Sequence, residues 1–217
     1  MNRIVGIYKP LGITSHDVID RVRSVTGEKK VGHAGTLDPL ATGVLVVGIG
    51  REATKKLGQV VKKEKEYLAL VRLGMTSSTD DEEGEKKEAF KIQIPNHKQI
   101  EEILKIFVGE IEQTPPLYSA VKVNGKAAYK RARKGEKFSL KMRKVEIKEI
   151  KVIDYKWPEL KLCVVTGPGV YIRSLARDIG EKLGVGGYLK NLERVRVGEF
   201  RKDNAIQMED FGKLKGV

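Results

Sequence analysis

The chain has 217 residues, of which 42 are lysine or arginine and 29 are aspartate or glutamate, so its formal net charge is +13 at pH 7. No apolar run approaches the roughly 18 residues that a membrane-spanning helix needs, and no secretory signal is visible at the N-terminus. Cys163 is the one cysteine, which excludes an internal disulfide and favours a reduced, cytoplasmic setting. The positive charge favours a polyanionic partner, with nucleic acid ahead of an anionic membrane.

Hydrophobic periodicity and turn residues predict the elements of the first half of the chain. These are a strand at 3–8, a helix with Ser15 as N-cap and Gly27 as its end, a loop at 29–41, a short buried strand at 44–47, a helix at 52–61 and a strand at 67–73. A polar loop at 74–84 follows, and its four acidic residues are typical of a solvated charge run.

In the second half, the same signals predict further helices and strands. These are a helix at 97–107, a strand at 117–123 with a tight turn at Asn124-Gly125, a basic helix at 127–134, a hairpin of 144–155 with 160–166, a helix at 171–183, one or two strands within 188–200, and a short helix at 207–214. Strands outnumber helices without alternating with them. We therefore expect one α+β domain over residues 1–217, with a mixed or mainly antiparallel central sheet flanked by helices.

The densest stretch is VGHAGTLDPLATGVLVVGIG at residues 31–50, and two interpretations of it compete. Gly48-Ile49-Gly50, followed by Ala53, formally matches the dinucleotide-binding fingerprint. That fingerprint requires an acidic residue at the end of the next strand, where this chain has none, and it leaves the charge of +13 unexplained. A compact strand-to-helix turn is the favoured interpretation of these glycines.

The other interpretation concerns Asp38, which precedes Pro39. Proline holds the preceding residue in an extended conformation and donates no N–H, so a carboxylate here could be fixed at the bottom of a cleft. Three glycines allow sharp turns around it: Gly32, Gly35 and Gly43. Local chemistry by itself favours a plainer alternative, an Asx-type turn in which Asp38 caps residues 40 and 41.

The wider segment from Lys30 to Lys55 closely resembles the signature of the bacterial tRNA pseudouridine-55 synthase (TruB) family. Further blocks resemble that family in the same order and extend from residue 3 to about residue 200: Tyr8-Lys9-Pro10 with Gly12 to Ser15, Lys65-Glu66-Tyr67, Leu73 to Gly84, Pro115 to Lys122, Gly169 to Leu175, and Leu189 to Arg194. The extent and order of these blocks make coincidence untenable.

The resemblance implies a pseudouridine synthase fold with an RNA-binding cleft, and an isomerase that converts uridine 55 in the T-loop of tRNA into pseudouridine. The reaction breaks the C1′–N1 bond and makes a C1′–C5 bond, and it uses no cofactor and no metal. The three histidines, His16, His33 and His97, are widely scattered, which fits the absence of a metal cluster. The implied partner is the T-arm of tRNA, and we expect a monomer without a membrane partner.

By resemblance, Asp38 is the catalytic carboxylate, and three roles stay open for it: attack on C1′, attack on C6, or removal of a sugar proton. Arg173 matches the arginine that pairs with this carboxylate, and a cation there would keep it ionised. Tyr67 matches the tyrosine that stacks on the flipped uracil. Further pocket positions are Tyr171, Leu192, Lys55 and Lys9, of which Lys9 serves structure more than chemistry. Without the resemblance, an ordinary strand aromatic is the better interpretation of Tyr67. Core packing is the alternative for Tyr171 and Leu192, and in these two residues both roles can hold together.

His33 matches the histidine that stacks into the RNA and fills the gap left by the extruded uridine. Two basic groups are candidates for phosphate contacts, although either could be an ordinary solvated surface. They are Lys62, Lys63 and Lys65, and the helix with Tyr129, Lys130, Arg131, Arg133 and Lys134.

The sequence departs from the family in one respect. Relatives usually carry a C-terminal RNA-binding domain of the PUA type, and we expect none here because Val217 follows soon after the catalytic blocks. This also argues against the RNA-guided relatives, and it requires the catalytic domain to recognise the T-arm by itself. Two alternatives stay open: a pseudouridine synthase for another RNA, and a non-catalytic protein that binds or folds tRNA.

Overall fold

A computed structural model describes residues 2–89 and 92–211 of the chain. Its elements follow in chain order: β1 (Arg3–Lys9), α1 (Ser15–Thr26), β2 (Val31–Ala34), β3 (Ala41–Ile49), α2 (Arg51–Val61), β4 (Lys65–Leu73), β5 (Met75–Ser77), β6 (Lys86–Glu88), α3 (His97–Ile106), β7 (Gly109–Gln113), β8 (Lys122–Val123), β9 (Lys126–Ala127), α4 (Ala128–Ala132), β10 (Arg143–Lys156), β11 (Glu159–Thr166), α5 (Ile172–Lys182), β12 (Gly187–Val197), β13 (Phe200–Arg201), a 3-10 turn (Lys202–Asn204) and β14 (Ile206–Gln207). The chain divides into two compact units: unit 1 contains residues 1–68 and 192–217, and unit 2 contains residues 69–191.

Unit 1 is organised around β3, whose residues are almost all buried. Strand β1 pairs antiparallel with residues 43–49 along one edge of β3. The other edge is shared, because β2 pairs antiparallel with Val46–Ile49 while β12 pairs parallel with Ala41–Gly43. The sheet is therefore mixed, which confirms the predicted α+β class. The loop at residues 35–40, which leaves β2 and returns as β3, lies where β2 gives way to β12.

The core of unit 1 follows from the apolar patterns of these elements. Helix α1 buries Val18, Ile19 and Val22 at helical spacing, as its periodicity predicts. Around β3, the core cluster combines residues from both β2 and α2: Ala34, Val44, Val46, Leu57, Val60 and Val197. The strands on both sides of the 35–40 loop, β2 before it and β3 after it, are therefore packed into this core.

Unit 2 contains a long antiparallel hairpin of β10 and β11. The other edge of β10 pairs antiparallel with β7. Two small hairpins accompany it, β5 with β6 and β8 with β9. The β8–β9 turn uses Asn124 and Gly125, both at positive φ, as the predicted tight turn requires. Strands β4 and β12 contain residues of both units.

Most predicted elements are confirmed, and the differences have local causes. The loop predicted at 29–41 contains β2, and the strand predicted at 117–123 is limited to β8. Ser15 is not the N-cap of α1, because Thr14 occupies that position in a capping box with Asp17. Of the helix predicted at 207–214, residues 208–211 form turns and residues 212–214 lie outside the described residues.

Candidate active site

The loop that carries Asp38 is held by backbone hydrogen bonds in unit 1. The Gly12 N–H donates to the Pro39 carbonyl at 2.9 Å, and the Ala41 N–H donates to the Asp38 carbonyl at 3.0 Å. The second bond closes the turn at residues 38–41 through the main chain. Asp38 itself is half-buried. The loop therefore has a defined backbone that presents Asp38 just before the start of β3.

Ser15 fixes the residue immediately before Asp38. Its Oγ donates to the Leu37 carbonyl at 2.9 Å and accepts the Leu37 N–H at 2.8 Å, and both bonds are buried. Because Thr14 supplies the helix cap, the Ser15 hydroxyl is available for this pair of bonds. One hydroxyl thus satisfies both backbone groups of Leu37.

Lys9 lies beneath the same loop and is fully buried. Its ammonium group donates to the carbonyls of Pro10 at 2.9 Å, Ile13 at 2.7 Å and Pro39 at 3.4 Å. Burial lowers the pKa of Lys9 to about 8, and the charge of Arg194 adds to this while that of Asp38 opposes it. These bonds support the structural role that the sequence suggests for Lys9.

Arg194 is a site residue that the sequence analysis placed in a family block without giving it a role. It is buried in β12, and its guanidinium donates from Nε to the Val44 carbonyl at 2.8 Å and from Nη2 to the Gly35 carbonyl at 3.1 Å. Tyr67 lies close enough to favour the charged form of this guanidinium. Alternation along the strand places Arg194 on the same side of β12 as the buried Leu192, and this spacing is the signal that could have identified it.

Gly43 permits the close pairing of β3 with Arg194. A Cβ at Gly43 would lie 2.2 Å from the backbone oxygen of Arg194, and Gly43 has a φ of +108°. Leu192 precedes Arg194 in the same strand, pairs with Ala41 and is buried. Glycine is therefore required at position 43 by both the space and the backbone conformation.

Tyr67 and Lys65 both belong to the buried positions of β4. The Lys65 ammonium group donates to the carbonyls of Val61 and Lys63, each at 2.8 Å, where helix α2 ends. The proposed phosphate contact of Lys65 is therefore wrong, because its charge is buried on backbone carbonyls. Burial, followed by the charge of Arg194, lowers the pKa of Lys65 to about 8.

His33 is half-buried in β2, where it pairs with Val47. Burial lowers its pKa below the ordinary value of 6.5, and the charges of Arg194 and His16 lower it further. Among the described residues, its Nδ1 atom has no hydrogen-bond partner. The imidazole is consequently neutral at pH 7, a state that suits stacking against a base better than acid–base work.

The other predicted basic residues lie at or near the surface. Lys55 is on the exposed side of α2 and pairs with Glu52 at 2.7 Å, Lys62 is exposed at the end of that helix, and Lys63 pairs with Glu199. In unit 2, α4 is shorter than predicted. It is flanked by exposed Arg133 and contains exposed Lys130, whereas Arg131 pairs with Glu136 at 2.6 Å. Their RNA contacts stay predictions.

In unit 2, Arg173 lies at the start of α5 and is buried. Its guanidinium pairs with the Asp81 carboxylate at 3.1 Å and donates to the Tyr118 carbonyl at 2.8 Å. Asp81 is also buried, and it accepts from the Thr79 hydroxyl. Arg173 and Asp38 belong to different units, and the ion pair between them stays a prediction.

The acidic loop at residues 74–84 is therefore not simply solvated, as the charge run suggested. Asp81 is buried on Arg173, and Asp80 pairs with Arg177 at 2.8 Å. Asp80 has a left-handed φ of 62°, a conformation that aspartate tolerates better than most residues. Burial raises the pKa of Asp80, and the charges of Arg177 and Arg173 oppose that increase.

Tyr171 is the N-cap residue of α5. Its N–H donates to Gln113 Oε1 at 2.9 Å, and its carbonyl accepts from Gln113 Nε2 at 3.1 Å. This pair of bonds fixes the backbone of Tyr171 on the last residue of β7. Within residues 2–89 and 92–211, no group of histidine, cysteine or acidic side chains could hold a metal ion, and no helix is long and apolar enough to cross a membrane.

Comparison with known families gives matches over most of the chain. Residues 23–172 match the model described as TruB family pseudouridylate synthase (N terminal domain), and residues 173–215 match that of the tRNA pseudouridylate synthase B C-terminal domain. The tRNA pseudouridine synthase B of Thermobifida fusca is 45% identical over 96% of this chain and 73% of its own length. That of Parabacteroides distasonis is 45% identical over 96% of this chain and 91% of its own length.

Two solved structures are similar in fold. A Cbf5-Nop10-Gar1 complex contains a chain that is 31% identical with a TM-score of 0.74, matched over 99% of this chain and 56% of that one. An H/ACA RNP bound to a substrate RNA containing 2'-deoxyuridine gives 28% identity and a TM-score of 0.72, over 99% of this chain and 55% of that one. The chain thus spans about half the length of these solved relatives.

Proposed function

The chain belongs to the TruB family of pseudouridylate synthases, and we propose that it converts uridine 55 in the T-loop of tRNA into pseudouridine, with Asp38 as the catalytic carboxylate. The observation that carries the proposal is the construction of the Asp38 loop. Ser15, Lys9 and backbone bonds from Gly12 hold the residues on either side of Asp38. A simple surface turn has no need of a buried lysine and a buried serine beneath it.

The proposed chemistry is an isomerisation in which every atom of the uridine is kept. The C1′–N1 bond breaks, the uracil rotates, and C1′ bonds to C5. The C5 proton leaves and N1 ends with a proton, so that electrons and charges balance without an external reagent. Asp38 acts in its ionised form, by attack on C1′ or C6 or by removal of a sugar proton.

The remaining site residues have proposed roles that follow the resemblance. Tyr67 stacks on the flipped base, and Tyr171, Leu192, Lys55 and Arg173 contribute to binding it. His33, which is neutral at pH 7 because burial lowers its pKa, fills the space that the extruded uridine leaves. Surface lysines and arginines supply phosphate contacts, and the net charge of +13 supports such contacts. The side chains proposed to contact phosphates are Lys62, Lys63, Lys130, Arg131 and Arg133.

We propose that the protein acts as a monomer in the cytoplasm. The single cysteine, Cys163, supports the cytoplasmic compartment. The interpretation of residues 1–217 as one catalytic domain stays a prediction.

The test incubates the purified chain with unmodified tRNA transcript and maps pseudouridine at every position. A matched transcript with cytidine at position 55 is the control. Pseudouridine at position 55 alone, and none in the control, is the expected result. Pseudouridine at other positions of the transcript but not at position 55 would favour the synthase for another substrate, and tRNA binding without product anywhere would favour the non-catalytic protein.

A further inference from the structure

Arg194 is an unusual component of unit 1 because it is a large charged side chain with almost no exposed surface. Among the described residues, it is the largest side chain that is fully buried. A buried guanidinium costs several kcal/mol unless its charge and its N–H groups are compensated. Its retention in the centre of a small unit therefore calls for a specific compensating environment, and the surroundings of Arg194 provide one.

The hydrogen bonds of Arg194 join segments that are far apart in sequence. Gly35 and Thr36, whose carbonyls accept at 3.1 and 3.5 Å, precede Asp38 in its loop. The Val44 carbonyl, which accepts at 2.8 Å, lies in β3 after the loop. The Tyr67 side chain, which comes from β4, favours the charged form of the same guanidinium. One planar group thus connects the start of the Asp38 loop to the strand that follows the loop, and it is an electrostatic neighbour of the tyrosine proposed to face the base.

The charge of Arg194 acts on the same surroundings. The charge of Asp38 stabilises the guanidinium of Arg194, whose burial acts in the opposite direction. In turn, the positive charge of Arg194 lowers the pKa values of Lys9, His33 and Lys65. Arg194 is therefore the common electrostatic neighbour of the proposed carboxylate and of three basic groups around it.

We propose that Arg194 is a positioning residue of this site, which holds the Asp38 loop in one fixed arrangement against β3 and supplies positive charge beside Asp38. The inference rests on the proposed function. Geometry and charge are separable contributions, because lysine keeps the charge but cannot donate in the planar fork that reaches three carbonyl acceptors, whereas methionine removes both.

The experiment compares Arg194→Lys and Arg194→Met with Arg196→Met, a matched control two residues further along β12. Arg196 pairs with Glu64 and Glu66 instead of the Asp38 loop. Single-turnover rates at saturating tRNA are measured between pH 5 and pH 8, together with tRNA affinity and the free energy of unfolding.

We expect both Arg194 variants to form pseudouridine more slowly, with unchanged tRNA affinity. The loss in Arg194→Met is on the order of 100-fold, as displacement of a catalytic group by about 1 Å produces. The acid limb of the rate profile moves to higher pH in Arg194→Met and stays in place in Arg194→Lys, because only the first removes the charge beside Asp38. Arg196→Met keeps the rate and the profile of the wild type.

A second readout does not depend on activity. Amide hydrogen exchange at residues 35–38 should accelerate in Arg194→Lys but not in Arg196→Met, and this variant keeps the measurement possible if Arg194→Met does not fold. Wild-type rates and wild-type exchange in Arg194→Lys would overturn the inference. A wild-type protein that makes no pseudouridine would overturn the proposed function instead, while the exchange result would still decide the positioning role.

Discussion

The ammonium group of Lys9 lies 3.4 Å from the carbonyl oxygen of Pro39, the residue that follows Asp38. Two further carbonyls, those of Pro10 and Ile13, share the same ammonium group. The lysine thus links the end of β1 to the turn at residues 38–41. Deprotonation would leave an amine with two N–H donors facing three acceptors.

This relationship predicts an alkaline loss of activity. Because the pKa of Lys9 is about 8, its charge and one of its donors are lost as the pH rises through that value. We expect the single-turnover rate of pseudouridine formation to fall above pH 8. In Lys9→Arg, whose side chain stays charged, the rate should stay level from pH 8 to pH 9. An equal fall in both proteins would assign the effect to the RNA or to another group.

The pKa of Lys65 predicts a pH dependence of stability. Its value of about 8 in the folded protein lies below the ordinary 10.5, so the unfolded chain binds more protons between these values. Stability therefore increases with pH across that window. We expect the free energy of unfolding of the wild type, minus that of Lys65→Met, to rise between pH 8 and pH 9.5 by up to about 1.4 kcal/mol per pH unit. Urea titrations measure it, and a flat or falling difference would contradict the prediction.

Ser15 and Thr14 offer neighbouring hydroxyls with different tasks. Ser15→Ala removes the partner of the buried Leu37 N–H, which should cost about 1–3 kcal/mol and accelerate amide exchange at Leu37. Thr14→Ala removes a helix cap instead, at a cost of about 1 kcal/mol, and should leave exchange at Leu37 unchanged. Exchange that is accelerated equally in both variants would show that Ser15 acts only through the helix.

Asp81 and Asp80 give a matched pair in unit 2. Asp81→Asn removes a buried carboxylate from Arg173 and should destabilise the chain by about 3–5 kcal/mol. Asp80→Asn affects the more exposed pair with Arg177, and asparagine tolerates the left-handed backbone, so its cost should be about 1 kcal/mol or less. Urea unfolding distinguishes them. If the two variants lost similar amounts of unfolding free energy, the buried Asp81–Arg173 pair would not be the main support of this loop.

Sequence patterns predicted the parts of the fold that depend on local periodicity. The apolar spacing of α1 and the alternation of the β10–β11 hairpin both correspond to observed elements. Strand β2 was missed because four residues with two intermediate positions have little pattern of their own, and pairing with β3 defines it.

The ordered motifs along the chain predicted the candidate site residues that belong to those motifs. Asp38 by itself had a plausible alternative as a turn residue, which local chemistry favoured. The supports of its loop depend on contacts between distant residues, such as Arg194 with Val44 and Ser15 with Leu37. The acidic residues Asp80 and Asp81 were misinterpreted for the same reason. A charge run is solvated by default, and only the folded chain brings Arg173 and Arg177 to it.

The central claim is that Asp38 carries out the chemistry at the tRNA uridine, and Asp38→Asn tests it most directly. Asparagine keeps the size of the side chain and removes its charge. Single-turnover assays with T-loop-labelled tRNA, run beside a tRNA-binding measurement, should show full binding and no pseudouridine at position 55. An Asp38→Asn protein that forms pseudouridine at the wild-type rate would contradict the account.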